Sequence, residues 1–193
     1  MPDDQRFARL TSLACHDMRT PLATVYGFAR TLSRQDLGEP AGQYARMIEE
    51  ATAQVKELLE QLAIVARIES GRFDPVLGEA DSLELARAAP AELGEERVVV
   101  SGEGATIRVP VEATRRAVVQ LTRAALRHGG LDEVSLRVSG PELELAPVTR
   151  NSARVLVGEE LRELGAASAC ALVREIGGSV ELADDRIRVR LPS

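Results

Sequence analysis

A chain of 193 residues can bury the core of one medium domain or of two small ones. Its hydrophobic share of 45% and charged share of 28% are ordinary for a soluble globular protein, and no run of 18 or more apolar residues predicts a transmembrane helix. The net charge of −6 argues against nucleic-acid binding, which usually needs a basic face, so we expect neither a nucleic-acid partner nor membrane insertion.

The N-terminus and the cysteines favour a cytoplasmic protein. Met1-Pro2-Asp3-Asp4 is acidic and polar, unlike a signal peptide. Cys15 and Cys170 lie far apart and have no metal-type spacing, which predicts two reduced thiols and no metal site. We interpret Cys15 as a small residue that fills space in a helix.

The first predicted element is a helix from about Asp4 to Arg34. Apolar residues recur every three or four positions and predict one buried stripe, made of Phe7, Leu10, Ala14, Met18, Leu22, Val25, Ala29 and Leu32. His16 lies two residues from both Ala14 and Met18, so it points about 200° away from each, toward water or a partner. Pro21 cannot donate to the carbonyl of Asp17 and should bend or loosen the helix.

A second helix is predicted from Ala41 to Glu69, after the turn at 35–40. Its apolar stripe comprises Tyr44, Met47, Ile48, Ala51, Val55, Leu58, Leu59, Leu62, Val65 and Ile68. Two such helices and a short loop predict an antiparallel hairpin that leaves much of its apolar surface uncovered. Pairing two copies into a four-helix bundle would bury that surface, which predicts a homodimer. The alternative is that the hairpin packs against the second half of the same chain.

Beyond Gly71 the periodicity changes, which predicts domains at 1–71 and 72–193. A linker runs to Asp81, and the elements that follow are short strands and three helices. These are a helix at 82–89 capped by Asp81 or Ser82, strands at 97–101 and 106–109, a helix at 112–128, strands at 134–138 and 143–146, a mostly helical stretch at 154–176 interrupted near Gly165, and strands at 179–182 and 187–191. The order predicts an α/β sandwich, and the whole chain an α+β fold.

Two segments of the hairpin resemble sensor histidine kinases. The stretch His16-Asp17-Met18-Arg19-Thr20-Pro21-Leu22 is similar to the H-box, usually His-Glu/Asp-Leu-Arg-Thr-Pro-Leu. The stretch from Leu62 to Gly71 resembles the end of the kinase hairpin, at the expected distance. The resemblance implies that the first helix belongs to a dimerising hairpin that carries the phosphoacceptor.

The same resemblance implies roles for the residues of the box. His16 is the expected phosphoacceptor, Asp17 the residue linked to proton abstraction, and Thr20 the polar position associated with water in dephosphorylation. Arg19 is expected to meet phosphate oxygens or acidic residues of a partner, and Pro21 is grouped with it as partner-binding. His128 closes a helix as a C-terminal cation and receives no catalytic role.

The second half resembles the GHKL-type ATP-binding sandwich of these kinases, but its nucleotide boxes are degenerate. Alignment of Gln120–His128 with the N-box puts Ala124 where the family has the Asn that holds Mg²⁺ and phosphates. Residues 147–152 contain neither the Asp nor the Gly of the adenine box. Glu163 replaces the first glycine of the phosphate cradle, although Gly165 and Gly177-Gly178 are kept. We therefore expect no bound cofactor.

An acceptor hairpin joined to such a sandwich resembles the kinase-derived histidine phosphotransferases of bacterial phosphorelays. The resemblance implies that His16 exchanges a phosphoryl group with the aspartates of response-regulator receiver domains, with a hybrid histidine kinase as a further partner. Mg²⁺ is then expected on the receiver. Two alternatives stay open: an ATP-dependent kinase core that autophosphorylates at His16, and a non-catalytic dimeric adaptor that docks receivers.

Overall fold

The computed structural model describes residues 3–35, 38 and 40–192, without the side chains of residues 3–7, 9, 10, 12–14 and 17. The chain forms two compact units, Met1–Phe73 and Asp74–Ser193. The predicted boundary after residue 71 lies two residues before this division. Each unit is described by itself.

The first unit is a hairpin of two long helices, α1 (Asp3–Ser33) and α2 (Ala41–Glu69). Small side chains dominate the buried positions, which lets the two backbones approach closely. We call this buried line the inner seam; it comprises Ala8, Cys15 and Ala29 of α1 and Gly42, Ala45, Thr52, Leu59, Ala63 and Ala66 of α2. Near the loop, the Ser33 hydroxyl donates to Glu49 Oε2 at 2.6 Å.

The larger apolar residues form a second line, which we call the outer seam. Their exposed fractions range from 43% to 58%, and they are Met18, Val25, Leu32, Tyr44, Met47, Ile48, Val55 and Leu58. Their exposure in a single hairpin agrees with the prediction that one hairpin leaves much of its apolar stripe uncovered, while the stripe members Ala29 and Leu59 are buried. The predicted stripe therefore covers two neighbouring faces: the inner seam and the face that carries the larger, exposed residues. The predicted stripe positions Phe7, Leu10 and Ala14 lie outside the described side chains.

The second unit contains a five-stranded sheet in the order β2-β4-β5-β7-β6. Strands β2 and β4 are parallel and the other neighbours antiparallel, while β1 and β3 form a separate antiparallel pair. The elements are β1 (Gly78–Asp81), α3 (Ser82–Leu93), β2 (Val98–Gly104), β3 (Thr106–Val109), α4 (Val111–Gly129), β4 (Val134–Gly140), β5 (Glu142–Ala146), α5 (Arg150–Leu156), α6 (Leu164–Glu175), β6 (Ser179–Ala183) and β7 (Arg186–Arg190). The predicted α+β class, a helical hairpin followed by an α/β sandwich, is confirmed.

Alternation along the central strands separates a core face from a charged face. The inward side chains are branched aliphatics buried with α4, among them Leu136, Val138, Leu143, Leu145, Ile187 and Val189. On the opposite face Glu144 pairs with Arg186 and Arg188, with N···O distances of 3.5 and 3.2 Å. Such neighbouring opposite charges support the pairing of β5 with β7.

Two features of this unit differ from the prediction. The stretch predicted as mostly helical from Arg154 contains the end of α5 and a non-helical segment at 157–163 before α6 begins. Gly158 has φ of +73°, a left-handed conformation that ends α5. Part of the predicted linker is strand β1, whose partner β3 lies about thirty residues later and is not visible in local periodicity.

A tight junction joins β1 to α3. The Asp81 carboxylate caps α3 by accepting from the backbone N–H groups of Leu83 and Glu84, at 2.8 and 3.2 Å. Gly104 makes room for this cap, because a Cβ there would lie 2.3 Å from Asp81 Oδ1. The predicted cap at Asp81 is thus confirmed.

We expect the substitution Asp81→Ala to lower the free energy of unfolding by about 1 kcal/mol, because two amide donors at the start of α3 lose their acceptor. Asp81→Asn keeps an oxygen at the same place and should cost much less. Urea denaturation followed by circular dichroism measures both variants. Equal losses for Ala and Asn would contradict the capping role.

Candidate functional site

His16 lies on the exposed surface of α1, one residue after a fully packed position. Cys15 is 1% exposed and packs with Leu59 and Ala63 of α2, and partly buried Leu22 and Leu62 lie against the same cluster. Successive helical residues are about 100° apart around the axis. The buried thiol therefore fixes the rotation of α1 at a value that leaves the imidazole exposed, as the sequence predicts.

The other residues of the predicted site follow His16 on α1. Arg19, Thr20 and Pro21 are all exposed, and Arg19 and Thr20 lie about one turn from His16 on the same side of the helix. The helix continues through Pro21, and the Thr20 carbonyl accepts from the Thr24 hydroxyl at 3.2 Å. The side chain of Asp17 lies outside the described residues, so its predicted role stays a prediction.

Cys15 behaves as a packing residue. Burial raises the pKa of its thiol, and the nearby Arg19 guanidinium opposes that shift only in part. A raised pKa keeps the sulfur protonated near neutral pH, where a thiol is a poor nucleophile. These properties agree with its interpretation as a small residue that fills space in the helix.

In the second unit, the helix aligned with the N-box is α4. Ala124 is fully buried and carries only a methyl group, so it offers no oxygen to a metal or a phosphate. Gln120, one turn earlier, is 6% exposed and lies against the start of α6. A Cβ at Gly165 would be 2.4 Å from Gln120 Oε1, so the glycine allows this close approach.

Glu163, at the position of the missing cradle glycine, contacts α4 directly. Its Oε2 lies 2.6 Å from His128 Nε2, and the two side chains are only 11% and 21% exposed. The sequence predicts His128 as a helix-terminal cation and places Glu163 where the cradle has its first glycine. Sequence reasoning missed that the two form a pair, because they are 35 residues apart and neither position predicts the other.

The segment after β5, where the family has its adenine box, begins α5 instead. The backbone N–H of Thr149 donates to Ser152 Oγ at 3.2 Å, so these hydroxyl residues stabilise the first turn of the helix. Within the part of the chain that the structure describes, no group of three or more His, Cys, Asp or Glu side chains is placed to hold a metal ion. The described helices also include none that is long and apolar enough to cross a bilayer.

Comparison with known proteins finds similarity in both units of the chain. Residues 8–71 match the family model of the His Kinase A (phospho-acceptor) domain. The chain is 27% identical over 175 residues to the histidine protein kinase DivJ of Caulobacter vibrioides, an alignment that covers 82% of this chain and 28% of DivJ. The chain thus spans little more than a quarter of that relative.

Solved structures share the fold of both units. The full-length structure of ShkA in complex with AMPPNP has a TM-score of 0.67 at 20% identity, covering 94% of this chain and 44% of ShkA. The ATP-binding domain of PrrB from Mycobacterium tuberculosis has a TM-score of 0.50 at 22% identity, covering 61% of this chain and 97% of that domain.

These matches show that residues 8–71 are similar to a phospho-acceptor domain and that the chain is similar to a histidine protein kinase. His16 lies within the residues, 8–71, that match the His Kinase A model. The α/β unit that follows has the fold of a GHKL-type ATPase domain, as the resemblance of the sequence implied.

We expect iodoacetamide at pH 8 to label neither cysteine of the native protein at an appreciable rate. Cys15 and Cys170 are both 1% exposed, and burial raises the pKa of Cys170 to about 11. The pKa of Cys170 rises from 9.0 on folding, so ionisation of the thiol at higher pH favours the unfolded chain. The free energy of unfolding should therefore fall as the pH rises from 9 toward 11.

Labelling measured by mass spectrometry, with the urea-unfolded chain as the control, checks this expectation at both thiols. Cys170 serves as the internal reference, since its sulfur donates to the Leu156 carbonyl at 3.1 Å. Fast labelling of Cys15 alone would contradict the packing of α1 against α2 around that residue.

Proposed function

We propose that the chain is a cytoplasmic phosphorelay protein in which His16 accepts a phosphoryl group and exchanges it with receiver-domain aspartates. The observation that carries the proposal is the exposed His16 beside the buried Cys15. A phosphoacceptor needs an imidazole nitrogen within reach of a partner, on a scaffold that does not rotate away. The match of residues 8–71 to the phosphoacceptor domain supports the assignment.

In the proposed step, an imidazole nitrogen of His16 attacks the phosphorus of the receiver's aspartyl phosphate. The new N–P bond forms as the bond from phosphorus to the Asp oxygen breaks, and the receiver keeps its carboxylate. We assign to Asp17 the role of orienting the ring and accepting its proton, to Thr20 the positioning of water in hydrolysis, and to Arg19 contact with phosphate oxygens or acidic partner residues. Pro21 is assigned to the partner-facing surface beside them.

This reaction requires no nucleotide on the chain itself. Any Mg²⁺ belongs, in the proposal, to the receiver. Two described features support this division of labour: the methyl group of Ala124 replaces a ligand oxygen, and the Glu163 carboxylate stands at the start of α6. A carboxylate there opposes the binding of a triphosphate, whose charge has the same sign.

An ATP-dependent kinase core is the second candidate, and the comparisons favour it. DivJ is a histidine protein kinase by name, and ShkA was solved with AMPPNP. The described unit also keeps Gly165 and the turn at Gly177-Gly178. In this alternative the γ-phosphoryl group of ATP is transferred to His16 of the hairpin.

We further propose that two copies associate through the outer seam. On α2, Tyr44, Ile48, Val55 and Leu58 are four, seven and three residues apart, which places them on one face of the helix. A contiguous apolar surface of this kind is typical of an interface. A two-fold axis would bring the same residues of the second copy against it.

We expect radiolabel to reach the protein from a phosphorylated receiver domain and not from ATP. The label should be acid-labile, as a phosphohistidine is, and the variant His16→Ala should remove it completely, because no other imidazole lies in the box. Phosphotransfer assays with both donors, resolved on gels, measure this. His128→Gln is the matched control, since it removes the chain's other histidine and should leave labelling of His16 intact.

Each other outcome of that assay contradicts the relay. Label arriving directly from ATP and lost with His16 would identify a kinase core. The absence of label from both donors, with receiver binding retained, would identify an adaptor.

We expect the double substitution Val55→Glu and Leu58→Glu to convert the protein from a two-chain to a one-chain species, because buried carboxylates oppose association of the outer seams. Light scattering coupled to size exclusion should show a mass lower by about half. Ala53→Glu places a similar charge on an exposed position of α2 away from both seams and should leave the mass unchanged. A one-chain mass for the unsubstituted protein would contradict the dimer.

A further inference from the structure

The segment at 157–163, between α5 and α6, is held at both of its ends. At its start, Arg174 Nη2 donates to the Val157 carbonyl at 2.6 Å and Cys170 Sγ to the Leu156 carbonyl at 3.1 Å. At its end, Glu163 pairs with His128 at 2.6 Å. Side chains of α6 and α4 therefore fix the two points where this segment leaves and rejoins helical structure.

The interior of the segment is also ordered by its own backbone. The N–H groups of Glu159 and Glu160 both donate to the Arg154 carbonyl, at 2.9 and 3.0 Å. Gly158, with φ of +73°, turns the chain against α6, where an added Cβ would lie 3.2 Å from that of Cys170. The first part of the segment, at 157–160, is thus a turn that packs on α6, whereas Leu161 is 81% exposed.

Two of the contacts at the ends are shielded from water, whereas the ion pairs along the segment are exposed. Arg154–Glu159 and Arg162–Glu160 have side chains that are mostly 60% or more exposed, and exposed pairs contribute little. The His128–Glu163 pair is mostly shielded from water, where a charge-assisted hydrogen bond is stronger. The shielded His128–Glu163 pair and the buried Cys170 contact should therefore contribute more to keeping the segment folded than the exposed contacts, which include that of Arg174.

We propose that Glu163, His128, Cys170 and Arg174 form an internal clasp that keeps residues 157–163 folded without a ligand. The clasp is a conformational device of the α/β unit and does not depend on the direction of phosphoryl flow. Glu163 has two effects in this arrangement: it closes the clasp, and it adds negative charge at the start of α6.

Hydrogen exchange measured by NMR on the full chain tests the clasp. The informative amides are those of Glu159, Glu160 and Ala167, which donate within or just after the segment. In Glu163→Ala we expect their protection factors to fall about tenfold or more, as the loss of one shielded charge-assisted hydrogen bond predicts. Glu163→Gln, which keeps a hydrogen-bonding group, should lose less, and Arg174→Met should release the same amides from the other end.

Matched controls separate the clasp from a general loss of stability. Glu160→Ala removes an exposed ion pair of the same segment and should change the protection of Glu159 and Ala167 by less than about threefold. The amides of Leu143 and Leu145 in β5 should keep their protection in every variant.

Three results would overturn the proposal. The first is unchanged protection of the segment in Glu163→Ala. The second is an equal loss in β5, which would show that the pair stabilises the whole unit instead. The third is a rise in protection of the unsubstituted protein on addition of AMPPNP, which would show that a ligand and not the clasp completes this segment. No phosphoryl donor is present in the experiment, so its failure is distinguishable from failure of the relay.

Discussion

The close approach of α1 to α2 through small side chains is the constraint on which the hairpin depends. Alanine, glycine and threonine at the inner seam bring the two backbones together, and Cys15 takes its place among them. Once these residues face each other, the angular position of every other residue on α1 is determined. His16 and the outer seam are both exposed as a consequence of that packing, since a helix that buries one face in a single contact leaves its other faces exposed to solvent.

Much of the hairpin could be predicted from sequence, but its internal packing could not. Both helices, their ends and the exposure of His16 follow from spacing and from the residues of the box. A hydropathy pattern gives bulky residues the most weight, so it predicts Val25 and Val55 in the apolar stripe. Two helices that approach closely need small residues such as alanine where they meet. Which of two adjacent faces meets the neighbouring helix is a steric question, and it is decided by residues that hydropathy ranks low.

In the second unit, local sequence patterns predict some features but miss those that depend on tertiary contacts. The loss of Asn at Ala124 and of Gly at Glu163 is readable residue by residue, and so is the cap at Asp81. At the end of α5, the local turn at Gly158 is joined by contacts of Arg174 and Cys170, which reach back from the following helix. The pairing of β1 with β3 and of Glu163 with His128 likewise depends on tertiary placement, because the partners are separated by about thirty residues.

The adjacency of Cys15 and His16 couples two chemical groups through one rotation. If α1 turned about its axis far enough to carry the imidazole toward α2, the same turn of about 100° would carry the thiol out of its cluster with Leu59 and Ala63. Burial of His16 and exposure of the Cys15 sulfur would then occur together. The accessibility of the Cys15 thiol therefore reports rotation of α1 without any label on His16.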